Sequence, residues 1–339
     1  MAQVNKLRWR MVVLAAGILV LPAISCCDSP NDGKVESKWV ILNEGNELGA
    51  FKIAFADSLY GWAIRMGVLT FTYWRTEDGG RSWDLDSVPL HPHLFEFRDL
   101  AFVSRSNVWM TGILGIMYHT LDGGQSWAID DQFSGSPGDV QNIATVIFPD
   151  SSHGWIAFNW NIARTSDGGL TWQVICSELW PLQALDSNVV FAGDMVYTKL
   201  FRTVDGGATW QEIYPGTPYG RSGAQVSFIS ETEGWAVIGW RTEYTSGGCL
   251  IHTRDGGVTW DTLLNSSNNA YSDIHMLPSR EGWVIAPGGK TILRTVDGAT
   301  WREDPLPDIG DRLLDNLVVL PGPDVWVLAE GLVLKRQGA

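Results

Sequence analysis

Six aspartates recur in one setting. Arg75-Thr76-Glu77-Asp78-Gly79-Gly80-Arg81-Ser82-Trp83 and His119-Thr120-Leu121-Asp122-Gly123-Gly124-Gln125-Ser126-Trp127 are two copies of a pattern that returns at Arg164 to Trp172, Arg202 to Trp210, His252 to Trp260 and Arg294 to Trp301. Carboxylates kept in one context could ligate calcium or act as acid and base, but both chemistries need several of them gathered at one point. Asp78, Asp122, Asp167, Asp205, Asp255 and Asp297 are separated by 44, 45, 38, 50 and 42 residues, one per structural unit. Such acids are spread out rather than gathered. Asp-Gly-Gly is instead a turn signal, because glycine reaches positive φ freely and aspartate accepts bonds from nearby amides. The following Ser or Thr caps the loop, and the Trp starts the next strand. The sixth copy, Asp297-Gly298-Ala299-Thr300-Trp301, is one residue shorter, which predicts a tighter turn. His91-Pro92-His93 offers two imidazoles without a further ligand nearby, so no metal site and no cofactor are expected.

The elements that carry these turns are short strands. The spacing suits four strands per propeller blade. A second marker opens a β-rich run before each turn: Gly61-Trp62, Val108-Trp109, Gly154-Trp155, Val189-Val190, Gly234-Trp235 and Gly282-Trp283. A seventh, Val325-Trp326, leads into Gly331 to Arg336, which resembles a strand entering a turn just before the chain stops. The missing strand reads at the other end, in Ser37-Lys38-Trp39-Val40-Ile41-Leu42. The reading is an all-β, seven-bladed propeller of four-stranded blades over residues 38–339, its last blade closed by the N-terminal strand. Pairing the termini removes a weak seam and open edges. Residues 38–339 number 302, or about 43 per blade. Thirteen of the 18 tryptophans belong to the repeat. Burying one such ring stabilises by at most about 4–6 kcal/mol, so packing alone accounts for them. Trp9, Trp74, Trp160, Trp180 and Trp240 lie off the repeat.

Residues 1–25 read as an export signal: Lys6, Arg8 and Arg10, an apolar run from Met11 to Leu21, then small residues. Ala23-Ile24-Ser25-Cys26 resembles a lipobox, which makes Cys26 the lipidated residue, with Cys27 the alternative. Residues 26–37 then form a flexible tether. This places the protein in a bacterial cell envelope, lipid-anchored on a periplasmic or extracellular face. Losing three positive charges takes the formal net charge from −14 to −17, which disfavours nucleic acid as a partner. Cys176 and Cys249 fall at non-equivalent positions of different repeats and are not expected to pair.

The pattern Arg/His-Thr-x-Asp-Gly-Gly-x-Ser/Thr-Trp with its upstream Gly-Trp strand resembles the Asp-box, or bacterial neuraminidase, repeat, and most closely the photosystem II stability and assembly factor family. The resemblance spans about residues 38–336 and implies a non-enzymatic seven-bladed propeller that helps membrane complexes assemble. A propeller puts these turns between third and fourth strands, so ligands are sought on the opposite face. Its candidates are Arg65, Trp160, Trp240 and Arg241 from loops within blades, with Tyr219 and Arg221 from the connection after the fourth box. The expectation is a monomeric scaffold binding protein at the membrane surface. The alternatives are a glycan-binding protein and an Asp-box glycosidase or sialidase-like enzyme, which needs a carboxylate pair or an arginine cluster with a tyrosine at the ring centre. No Phe/Tyr-Arg-Ile-Pro signature is present.

Overall fold

The computed structural model describes residues 37–44, 48–65, 72–89, 96–134, 142–194, 198–216, 223–241, 246–322 and 324–337. Glycine-rich turns separate 28 strands of three to eight residues among the described residues, which pair as seven four-stranded antiparallel sheets. β1 (Trp39–Ile41) belongs to the last blade. Blade one holds β2 (Lys52–Phe55), β3 (Gly61–Ile64), β4 (Thr72–Thr76) and β5 (Asp84–Ser87). Blade two holds β6 (Phe97–Phe102), β7 (Val108–Gly112), β8 (Met117–Thr120) and β9 (Ala128–Asp130). β10 (Ile143–Ile147), β11 (Gly154–Phe158), β12 (Asn161–Thr165) and β13 (Gln173–Ser177) make blade three. β14 (Leu179–Ala184), β15 (Val190–Asp194), β16 (Leu200–Thr203) and β17 (Gln211–Tyr214) make blade four. Blade five comprises β18 (Ala224–Phe228), β19 (Gly234–Arg241), β20 (Ser246–Thr253) and β21 (Asp261–Ser266). Blade six comprises β22 (Ile274–Met276), β23 (Gly282–Ile285), β24 (Ile292–Thr295) and β25 (Arg302–Asp304). In blade seven, β26 (Leu314–Val319), β27 (Val325–Ala329) and β28 (Leu332–Arg336) are completed by β1, with Trp39 opposite Arg336 and Ile41 opposite Leu334. The ring is therefore the seven-bladed, terminus-closed propeller that the repeat implies.

The second strand of each blade is buried on both faces, as expected of an apolar run sandwiched between neighbouring blades. Trp62, Trp109, Trp155, Trp235, Trp283 and Trp326 are almost wholly buried there. Each lies directly across from the first residue of its own blade's box motif, or, in blade seven, from Lys335. The indole thus meets the side chain across from it: the imidazoles of His119 and His252 stack on Trp109 at 3.9 Å and on Trp235 at 4.4 Å, and the Lys335 ammonium sits 4.4 Å from the Trp326 ring centre. In blade four this register corrects the sequence reading. The residue opposite Arg202 is Phe191, so the marker is Val190-Phe191 and not Val189-Val190. Phe191 is buried and stacks on Phe228 at 3.6 Å.

Seams between blades are closed by two layers of bonds. In the outer layer, the indole of one blade meets the box of the next: Trp235 Nε1 donates to Gly298 O at 2.7 Å, and Trp326 Nε1 to Gly79 O at 3.0 Å. At Gly169 the φ is +93°, and a Cβ would stand 2.2 Å from the Trp109 ring. Only glycine fits that approach. Blade seven has no box, and Asp304 stands in for it. Its Oδ2 accepts from Trp283 Nε1 (3.2 Å), Trp39 Nε1 (3.1 Å) and Arg336 Nε (2.7 Å), and both charged residues are buried. Three strands of the split blade and its neighbour meet on one carboxylate.

The inner layer joins first strands around the axis. Asn316 Oδ1 accepts from Ile53 N, Asp99 Oδ2 from Val146 N, Gln183 Oε1 from Phe228 N, Ser227 Oγ from Met276 N and Asp273 Oδ2 from Leu317 N, all at 2.7–3.0 Å. Lys52 pairs with Asp99 at the seam of blades one and two, and Trp180 Nε1 donates to Thr145 Oγ1 at 2.8 Å between blades three and four. Every inner seam carries a side-chain bond, and the groups that make it vary from seam to seam, with only the two aspartate–amide bonds alike.

Candidate functional site

On the box face the carboxylates are fully engaged by their own turns. In box three, Asp167 Oδ1 accepts from Thr165 Oγ1 (2.7 Å) and Thr171 N (2.9 Å), and Oδ2 accepts from Thr171 Oγ1 (2.6 Å). Asp78, Asp122, Asp205 and Asp255 repeat the arrangement. In the shorter sixth box, Thr295 Oγ1 accepts from Gly298 N three residues on, where the other boxes use the fourth, and Asp297 gathers Ala299 N and Thr300 N. The turn is tighter, as its length requires. Bonds from the Ser or Thr hydroxyl hold the carboxyls of Asp122, Asp167, Asp205 and Asp255 down to about 2, and amides from Thr300 and Ala299 push Asp297 lower still. Acids this strong stay ionised at neutral pH and neither give nor take a proton. Among the described residues no group of three or more His, Cys, Asp or Glu is arranged to hold a metal.

The opposite face is formed by the loops between second and third strands and the connections between blades. It is built without repetition. Arg65 stands exposed at the end of β3. Trp160 is 56% exposed in the two-residue turn between β11 and β12, where Asn159 has φ +40° and Trp160 φ +69°. A turn with both central residues left-handed favours Asn-Gly, and the equivalent turns of blades two and seven do place glycine second, as Leu114-Gly115 and Glu330-Gly331. Blade three puts an indole there. A bulky side chain held at positive φ with more than half its surface displayed to solvent carries backbone strain, which marks it as a functional candidate.

Trp240 is different. It lies half-buried in β19 opposite Gly247, and its ring comes within 2.5 Å of where a Gly247 Cβ would be, so it packs onto its own hairpin. Arg241 closes β19 opposite Ser246. Tyr219, Arg221, Cys26 and His91-Pro92-His93 lie outside the described residues. The structure thus brings Arg65, Trp160, Trp240 and Arg241 to one face, on blades one, three and five, and separates Trp180, which is used in the inner seam. Cys176 in blade three and Cys249 in blade five are free thiols, both pushed up to about 11 by burial. Sequence reasoning missed the strain at Trp160; its signal was an Asn-Trp pair between two strands where Asn-Gly would be expected.

A family model described as photosynthesis system II assembly factor YCF48 matches residues 32–146. The photosystem II assembly lipoprotein Ycf48 of Synechococcus sp. (strain CC9902) is 23% identical over 318 residues, 89% of each chain. The chain carries its six Asp-box turns on a seven-bladed propeller and is similar in sequence to the photosystem II assembly factors. The photosystem II stability/assembly factor HCF136, chloroplastic, of Arabidopsis thaliana is 26% identical over 290 residues, covering 79% of this chain and 69% of that one. The solved structure of YCF48 bound to D1 peptide superposes with a TM-score of 0.67 at 20% identity, covering 90% of this chain and 98% of the other, which shows a shared fold.

Proposed function

We propose that this propeller is a non-enzymatic scaffold or assembly factor that holds a segment of a partner protein against the face carrying Arg65, Trp160, Trp240 and Arg241, with Tyr219 and Arg221 as further candidate contacts. The observation that carries the reading is Trp160: an exposed indole kept in a left-handed turn where glycine would relax the backbone. Rigid aromatics of this kind anchor interfaces at low entropic cost, and neighbouring arginines add polar grip. Relatives named as assembly factors, and one solved with a peptide, support it. We further propose that residues 1–25 are removed and that a lipid on Cys26 holds the protein, as a monomer, at an envelope membrane; a relative named as a lipoprotein supports this.

The test is recovery of partners from solubilised membranes with wild-type full-length protein and with Trp160→Gly. Glycine suits the turn, so the variant should fold at least as well and yet lose the partner. Undiminished recovery would contradict the proposal. The same exposed ring could stack on a sugar, and glycan-array binding that vanishes in Trp160→Gly would favour a carbohydrate ligand over a protein.

A further inference from the structure

The box face displays aliphatic side chains where turn tips are ordinarily polar. Two positions in each box point outward: the residue before Asp and the residue before the Ser or Thr. Across boxes two to six one of them is always apolar, as Leu121, Leu170, Val204, Val258 and Val296, between 56% and 81% exposed. In box one both are charged, Glu77 and Arg81, but the adjoining turn between β2 and β3 presents Leu59 instead, 46% exposed. On the box-face turns, six blades therefore carry one such exposed aliphatic each. Among the described residues the box-face side of the seventh blade carries none, its nearby Leu313 lying beside the start of β26 on the other face. Trp39 pairs with Arg336, and Arg336 pairs with Val325 at the very start of β27, so β1 begins at the level of the box turns.

We infer that the box face is a membrane-resting face, with these six side chains inserted into the lipid interface and the tether fixing the seventh blade. The inference rests on the lipid-anchor reading of Cys26. The span from Cys26 to Trp39 is short, reaching at most about 45 Å if fully extended, which keeps the ring close to the bilayer. A protein partner would ask for a contiguous apolar patch. Here the aliphatics are separated by a blade's width and set among ion pairs such as Arg105–Asp57 and Arg280–Glu233, an arrangement that suits a fluid interface accepting each side chain on its own. The box carboxylates do not oppose this, because their oxygens are already bonded within their own turns. The orientation also leaves Trp160, on the opposite face, free for its partner.

The experiment uses the mature lipidated protein with p-benzoylphenylalanine at Leu170, Val258 or, as control, Trp160, in vesicles of phosphatidylcholine with added phosphatidylglycerol. After flotation and irradiation, adducts are read by mass spectrometry. Lipid adducts at Leu170 and Val258 several-fold above those at Trp160 are expected. Floating protein with no such excess, or with adducts to a second copy or to another protein, overturns the orientation and leaves the anchor standing. Protein that does not float overturns the anchor reading and the orientation together.

Discussion

The two faces of the ring are made by opposite rules. On the box face one turn recurs six times, its aspartate bonded by the same hydroxyls and amides in the first five copies and in a tightened form in the sixth, with the glycine against the indole of the preceding blade in boxes two, three and six. On the other face the described loops vary in length and sequence, and one of them holds a tryptophan in a conformation that its counterparts in blades two and seven give to glycine. Repetition here records what the fold needs, and departure from it records what the fold is used for. The closing seam is the instructive exception on the first side: lacking a box, it joins three side chains on the Asp304 carboxylate.

That contrast can be broken most severely at Asp304. Asp304→Ala strands the buried Arg336 guanidinium and should cost about 3–5 kcal/mol in urea unfolding. A loss below about 1 kcal/mol would mean the seam is held by its apolar contacts alone. A smaller effect is expected within the repeat itself. Gly169→Ala must displace the Trp109 ring and adopt φ +93°, for a loss of about 1–3 kcal/mol read as a lowered thermal midpoint. No change there would show that the indole and box do not interlock.

The mildest test is acid. Asp122, Asp167, Asp205 and Asp255 titrate at about 2 in the folded ring against an ordinary 3.8, so the stability they contribute is complete above 3.8 and is lost as the pH falls toward 2. His119 adds a slope of its own: burial against Trp109 lowers it to about 4 from 6.5, so the unfolded chain binds the extra proton and stability already declines as pH drops from 6.5 toward 4. Thermal midpoints measured from pH 7 to pH 2 should fall in these two stages. A flat profile across that range would separate the box bonds from stability.

The boxes and the split blade were legible because glycine and tryptophan mark them by type, and both ends of the chain carry half of the same unit. Blade four was misplaced by one residue because Val189, Val190 and Phe191 are all apolar; without a tryptophan, nothing in their hydrophobicity fixes which of them faces the cation across the strand. The inner seam bonds were not legible. Asn316, Asp99, Gln183, Ser227 and Asp273 share a task across four residue types, so no single-residue pattern joins them. Of the candidate residues, Arg65, Trp160, Trp240 and Arg241 were placed opposite the boxes by topology alone. What distinguishes Trp160 from Trp240, a strained display against a ring packed on Gly247, is a matter of backbone angles.

The central claim is that a partner lies across the non-repeating face. Hydrogen exchange of the full-length protein with and without its captured partner reads this directly: protection should appear at residues 159–161 and 240–247, with the box turns unchanged. Protection confined to the box turns, with the Trp160 turn exchanging as before, would contradict the account.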